Sequence, residues 1–243
     1  MEPVRRTYDG AADPIELRRL QLTHKQAALL VLSDVEQDPA TVSARLREAY
    51  RQVEDYAALD GVFEHSFAPC RIEETLAGPV VKKMCEAAKR FGVGPMAAVA
   101  GAIAEHVGVA LPGAAVVVEN GGDVYARHNG PLAFSLRCGG RSRFPNGIRF
   151  AVDCTGGVGV CTSARHGRSI SLGRADAFGV VADTAALADA AATAFANRVK
   201  KPEDVEELVR EAVSREGVRA AIAVAEELLA AAGDLRLLRR STR

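Results

Sequence analysis

Leu187-Ala-Asp189-Ala-Ala-Ala-Thr193-Ala-Phe-Ala-Asn197 sets one carboxylate and one hydroxyl on a run of small, mostly apolar residues that reads as a helix. Four positions apart, Asp189 and Thr193 stack on one face within reach of each other. The alanines around them have almost no side chain, so a neighbouring backbone or a ligand can approach that face closely. An ionised aspartate there is costly unless it finds a cation or hydrogen-bond donors. Two readings follow from these residues alone. In one, the helix simply packs, with Asp189 at its exposed edge and Thr193 bonded back to a carbonyl. In the other, a hard cation such as Mg²⁺ takes oxygen ligands from the pair and the rest from water and phosphate.

The helix does not stand alone. A strand-like run, Ala177-Phe-Gly-Val-Val-Ala182, leads into it through Asp183-Thr184, both natural N-cap residues. Further upstream lie Gly101-Ala102-Ile-Ala104, Val117-Val-Glu-Asn120-Gly121-Gly122-Asp123 and Gly159-Val-Cys161-Thr162-Ser163. In this order the four segments resemble the motif series of the ApbE-like superfamily, whose type members are FAD:protein FMN transferases. The resemblance implies that Asp189, Thr193 and the backbone carbonyl of Ala102 hold Mg²⁺ against the FAD pyrophosphate, and that the Asn120 turn lies near the adenosine. The chain is still more similar to a cytosolic branch of that superfamily, through Val93 to Glu105, Glu119 to Asp123, Cys161 to Ser163 and Gly173 to Ala177. That branch implies a fold and a site, and no particular reaction.

Other candidates are weaker taken singly. Gly92-Val-Gly94-Pro95 opens a helix whose first N–H groups can face a phosphate, although loop-to-helix joints of this kind are common. Asn120-Gly121-Gly122-Asp123 is a hairpin turn that also lets a ligand come close to backbone, with Asn120 and Asp123 offering polar groups. Cys161 to Ser169 concentrates hydroxyls, an imidazole and two guanidinium groups. Within it Thr162 and Ser163 are read as ligand contacts and His166 as a catalytic group able to shuttle a proton, while Arg165 and Arg168 suit phosphate. Cys161 is read as a buried strand cysteine rather than a nucleophile, because no acid orients His166. Asp176 is structural or supports the site from behind.

The series departs from its type members at Glu105-His106, where they carry Lys-Gly, and their H-x-x-D-P-x-T-G-x-P segment is not recognisable. The resemblance therefore carries the diphosphate-and-metal half of the site rather than the flavin half. Glu105 is read as a solvated helix residue, with an extra metal or base ligand as the alternative.

Composition narrows the function classes. The 31 basic and 31 acidic residues balance, and the basic ones are dispersed, so no nucleic-acid footprint is visible. The apolar share is mainly Ala and Val, with no Trp, which suits tightly packed helices on a sheet. Five cysteines without C-x-x-C spacing, and a polar N-terminus without a leader pattern, point to a reducing cytoplasm. The apolar run Val93 to Val118 is interrupted by Glu105, His106, Pro112 and Gly113, and reads as a buried helix and strand rather than a membrane span. The expected partners are a flavin or related dinucleotide and an acceptor, protein or small molecule. An oligomer is compatible with the sequence; nucleic acid and membrane are not expected.

Periodicity predicts a helix over about Pro39 to Leu59. A Pro79-led helix to about Arg90, a small-residue helix from Met96 to Val107, the Asp189 helix and a charged helix from Pro202 to about Arg215 are also expected. Strands are expected at the N-terminal end, Ala114–Val118, Asp123–Arg127, Leu132–Arg137, Gly147–Asp153, Gly159–Thr162 and Ala177–Ala182. From Val218 to Leu238 helix propensity conflicts with the resemblance, which implies two final strands around Glu226 to Gly233. Gly217 and Gly233 tip the reading to strands. The whole is α+β, helices packed against mixed or antiparallel sheets, as one ApbE-like domain over residues 1–243 with its motifs at about 92–200.

Overall fold

A computed structural model describes residues 17–138, 142–144, 146–165 and 173–238. The chain starts as a hairpin of β1 (Arg18–His24) and β2 (Ala27–Ser33), one strand more than the sequence led us to expect. Helix α1 (Pro39–Leu59) follows, started by Pro39 in its first turn and by the Asp38 carboxylate, which accepts from the Ala40 and Thr41 N–H groups. Its buried stripe is Val42, Leu46, Ala49, Val53 and Tyr56. Helix α2 (Pro79–Phe91) ends at Gly92, whose φ of 69° is the left-handed stop that glycine allows.

The helix expected from Met96 is in fact two pieces. A short 3₁₀ turn over Pro95–Ala98 precedes helix α3 (Val99–Ala110), and Ala98, at φ −120° and ψ 6°, breaks the ladder between them. The sheet region runs β3 (Val116–Asn120), β4 (Asp123–Arg127), β5 (Pro131–Leu136), β6 (Ile148–Asp153), β7 (Val158–Ser163) and β8 (Ala177–Ala182). Helices α4 (Ala185–Arg198) and α5 (Asp204–Val213) follow. The chain then forms β9 (Val218–Ala225), β10 (Leu228–Gly233) and the short β11 (Arg236–Leu237). The C-terminal stretch is therefore strand, as the glycines indicated, despite its alanine and leucine content.

The strands form an eight-stranded sheet in the order β1-β2-β3-β4-β7-β8-β9-β10 and a three-stranded sheet β11-β6-β5. Every recorded strand pair is antiparallel. Alternation along the strands divides the core in two. Val116, Val118, Tyr125, Cys161, Phe178 and Val180 face the helices. Val117, Val124, Val160, Val181 and Ile222 meet Leu132, Phe134 and Phe150 of the smaller sheet. The molecule is an α+β layering of helices, large sheet and small sheet. The run Val93 to Val118 falls into α3 and β3, both buried in it. Among the described residues no single helix is long and apolar enough to cross a membrane.

Candidate functional site

The site forms where the β3–β4 turn meets the crossing of α3 and α4. Gly121 and Gly122 form the turn with φ of 69° and 118°, the left-handed geometry a two-residue hairpin needs. The turn sets Asn120 and Asp123 opposite each other on the helix-facing side of the sheet. The Asn120 Nδ2 donates to the Ala100 carbonyl at 3.3 Å, and Asp123 Oδ1 accepts from the Thr162 N–H at 3.2 Å. From the helix layer, Asp189 Oδ2 accepts from the Gly101 N–H at 2.9 Å.

Asp189 is only 8 % exposed. Burial pushes its carboxyl well above the usual carboxylate range and the Asp123 charge adds to this, against the pull of the Gly101 and Ala100 N–H groups. Asp123 is pushed up to about 7 by burial, with the Glu119 charge adding, while the Thr162 N–H and the Cys161 thiol oppose. The two carboxylates thus repel one another in a partly dry site, and neither is bonded to a cationic side chain among the described residues. Both line one cavity of about 1270 Å³, together with Thr162 and Thr193. Asn120, Gly121, Gly122 and Gly94 line the same space. It exceeds the volume typical of a drug-sized ligand pocket.

Gly94 is required by packing, whatever its role toward a ligand: a Cβ there would lie 1.7 Å from the Ser66 carbonyl oxygen. Ala102 is not among the lining residues. It is buried in the second turn of α3, where its carbonyl belongs to the helix ladder, and Ala100 faces the cavity instead. Ser163 is likewise not among the lining residues. It is buried on the same strand face as Cys161, with no partner for its Oγ among the described residues. His166, Arg168 and Ser169 lie outside the described residues.

Glu105 corrects the sequence reading. It is not solvated but 4 % exposed. Its Oε2 accepts from the Ala185 N–H at 2.7 Å and its Oε1 from Lys83 Nζ at 2.6 Å. Cys161 is a buried strand cysteine. Its Sγ donates to the Ala185 carbonyl at 3.4 Å, and burial holds the thiol far above its ordinary range. Asp176 is structural: its Oδ2 accepts from the Glu226 N–H at 2.6 Å and so secures the β9–β10 turn. The sequence reading gave no role to Glu119, which is buried, lines the cavity and raises the Asp123 carboxyl. A lone acid within the buried strand Val116–Asn120 was its available signal.

The donor set suits a hard divalent cation. Asp123 and Asp189 supply carboxylate oxygens that no cationic side chain bonds among the described residues, and Thr193 lies one helical turn from Asp189 on the same cavity wall. No group of three or more His, Cys, Asp or Glu side chains gathers among the described residues. A cation here would take its other ligands from neutral oxygens, water or a bound phosphate, as Mg²⁺ usually does. At another part of the cavity wall, Arg198 stacks on the Phe195 ring, 5.3 Å from its centroid, and is held by Glu211.

The UPF0280 protein of Archaeoglobus fulgidus is 34% identical over 227 residues, covering 90% of this chain and 93% of that one. The UPF0280 protein of Methanothrix thermoacetophila is 35% identical over 223 residues, covering 90% and 92%. Among solved structures, the flavin transferase ApbE from Vibrio cholerae superposes with a TM-score of 0.61 at 11% identity, covering 91% of this chain and 98% of that one. The ApbE protein from Thermotoga maritima gives a TM-score of 0.53 at 14% identity, covering 88% and 96%. At such identities the structures share the fold. A family model described as AbpE bacteria matches residues 11–233, and the chain accordingly belongs to that family, within the ApbE-like superfamily.

Proposed function

We propose that the cavity binds a flavin dinucleotide, FAD, together with Mg²⁺, and that the protein transfers the FMN moiety to a hydroxyl acceptor. The observation that carries this reading is the pair of mutually repelling carboxylates, half-buried Asp123 and buried Asp189, which line one cavity with Thr193. The flavin transferases that share the fold support the choice of ligand. Asp189, Asp123 and Thr193 would hold the cation, which when bound would neutralise the diphosphate and polarise its phosphorus–oxygen bond.

The chain's own residues do the rest. The Gly101 N–H engages one oxygen of Asp189 and so fixes how the carboxylate is presented to the cavity. The Gly121-Gly122 turn brings backbone, without side chains, to the dinucleotide. Asn120 and Thr162 offer polar groups beside it. An acceptor hydroxyl oxygen forms the new bond to the FMN-side phosphorus while the bridging bond breaks and AMP leaves. The hydroxyl proton passes to His166 or to water. Positioning and charge neutralisation supply the rate, as in phosphoryl transfer generally. Water in place of the acceptor would yield FMN and AMP.

One observation favours a second reading, binding without transfer. Glu105 stands where the type transferases carry Lys, and it is consumed by contacts to Ala185 and Lys83 inside the protein. FAD binding followed by flavin fluorescence, with AMP release measured in parallel, tests both readings. We expect tight binding that requires Mg²⁺ and weakens by about 10- to 100-fold or more in Asp189→Ala. Binding indifferent to both Mg²⁺ and Asp189 overturns the proposal. Metal-dependent binding without AMP release, over a range of acceptors, establishes the second reading.

A further inference from the structure

Helices α3 and α4 cross where Gly101 meets Ala185, so tightly that a Cβ on Gly101 would lie 2.3 Å from the Ala185 carbonyl oxygen. At that crossing each helix caps the other. The Gly101 N–H of α3 donates to Asp189 of α4 at 2.9 Å, and the Ala185 N–H of α4 donates to Glu105 of α3 at 2.7 Å. In both helices the accepting carboxylate lies four residues, about one turn, after that helix's own donor. Helix α3 has no side-chain cap of its own. The α4 cap, Thr184, accepts from the Leu187 N–H, and the Ala185 N–H goes to Glu105. The two carboxylates differ in one respect. Glu105 has a countercharge, Lys83 Nζ at 2.6 Å, whereas Asp189 faces the cavity with no cationic side chain bonded to it among the described residues.

We propose that Glu105 is a positioning residue: by holding the first N–H of α4 it fixes where Asp189, one turn later, presents its carboxylate to a divalent cation in the cavity. The lysine beside Glu105 holds that carboxylate in place through its 2.6 Å contact with Oε1. The cation in the cavity fills, for Asp189, the role that Lys83 fills for its counterpart. The Cys161 thiol on the Ala185 carbonyl and the close approach of Gly159 to Ala185 hold the same residue from the sheet side, so that α4 starts at one defined position. This inference rests on the cation reading given above.

The test uses Mn²⁺ alone as the probe, with its affinity measured by electron paramagnetic resonance on the full chain and the melting temperature followed in parallel. In wild type we expect one site that Asp189→Ala abolishes. Glu105→Ala should weaken Mn²⁺ binding about tenfold at a temperature where the variant is fully folded. Glu105→Gln, whose amide oxygen still accepts from the Ala185 N–H, should stay within about threefold of wild type. A role confined to stability would lower the melting temperature of Glu105→Ala and leave the affinity of the folded protein unchanged, and that result overturns the proposal. So does a Glu105→Gln variant as impaired as Glu105→Ala. Should Glu105→Ala not fold, Glu105→Asp keeps the charge beside Lys83 but is one methylene too short for Ala185. Wild-type affinity in that variant likewise overturns the proposal. If wild type and Asp189→Ala bind Mn²⁺ alike, the cation reading itself falls and the positioning role falls with it. A wild-type site that persists unchanged in Glu105→Ala removes the positioning role alone.

Discussion

At Asp123 the environment, rather than the residue type, decides the chemistry. An aspartate in solution ionises near 3.8, whereas burial beside Glu119 pushes Asp123 up to about 7. Between those values the folded, cation-free protein binds more protons than the unfolded chain, so stability falls as the pH rises through that window. Thermal unfolding from pH 4 to 8 without divalent cation should show this decline, and Asp123→Asn should flatten it. Added Mg²⁺ should restore stability at the upper end, where the site is anionic. A wild-type slope identical to that of Asp123→Asn would refute the assignment. Asp123, Thr162 and Asp189 could be picked out in the sequence because each breaks an otherwise apolar or glycine-rich run. Glu105 could not. Its N–H partner belongs to a residue 80 positions away, and nothing local to Ala104-Glu105-His106 tells a solvated carboxylate from one that caps another helix.

Among the elements, the contact of α3 with α4 depends on the missing side chain at position 101. Gly101→Ala places a Cβ 2.3 Å from the Ala185 oxygen and 3.0 Å from the Asp189 Cβ. Opening that crossing should cost about 1–3 kcal/mol of stability, measurable by urea denaturation, even though alanine is the better helix former. Periodicity found α1, which buries a stripe at helical spacing, whereas α2 was legible from Pro79 at its first turn and α4 from its small residues after Asp183-Thr184. The sequence reading missed the break at Ala98, where propensity is uniform and only the backbone angles change. The stretch from Val218 to Gly233 shows the reverse case. Its Ala and Leu content favours helix by propensity, yet β9 has a place beside β8 and β10 beside β9. The turn between them holds Glu226 at φ 54°, with its N–H bonded to Asp176. Sheet pairing outweighs propensity there, and the two glycines were its only local sign.

For the molecule as a whole, the large sheet separates two cores. The helix-facing core positions the cavity, while the opposite core joins the large sheet to the smaller one through Phe134 and Phe150, stacked with ring centroids 5.9 Å apart. Phe134→Ala should destabilise the protein by about 3–5 kcal/mol in chemical denaturation. It should leave Mn²⁺ affinity unchanged in the folded protein, since the sheet stands between that ring and the cavity. A parallel loss of affinity would mean that the two cores are coupled. The sequence by itself determined the α+β class, the helices apart from the break at Ala98 and most strands, and it singled out Asn120 to Asp123, Thr162, Asp189 and Thr193, which line the cavity, because these depend on local period, turn chemistry and residue order. Only the tertiary structure decided that Asp123 and Asp189 share a cavity in which neither is bonded to a cationic side chain among the described residues, that Ala100 rather than Ala102 faces it, and that Glu105 lies buried on Ala185. Those facts depend on which backbone groups and charges from distant segments lie close together, and burial strengthens each of these interactions by excluding the water that would otherwise screen it.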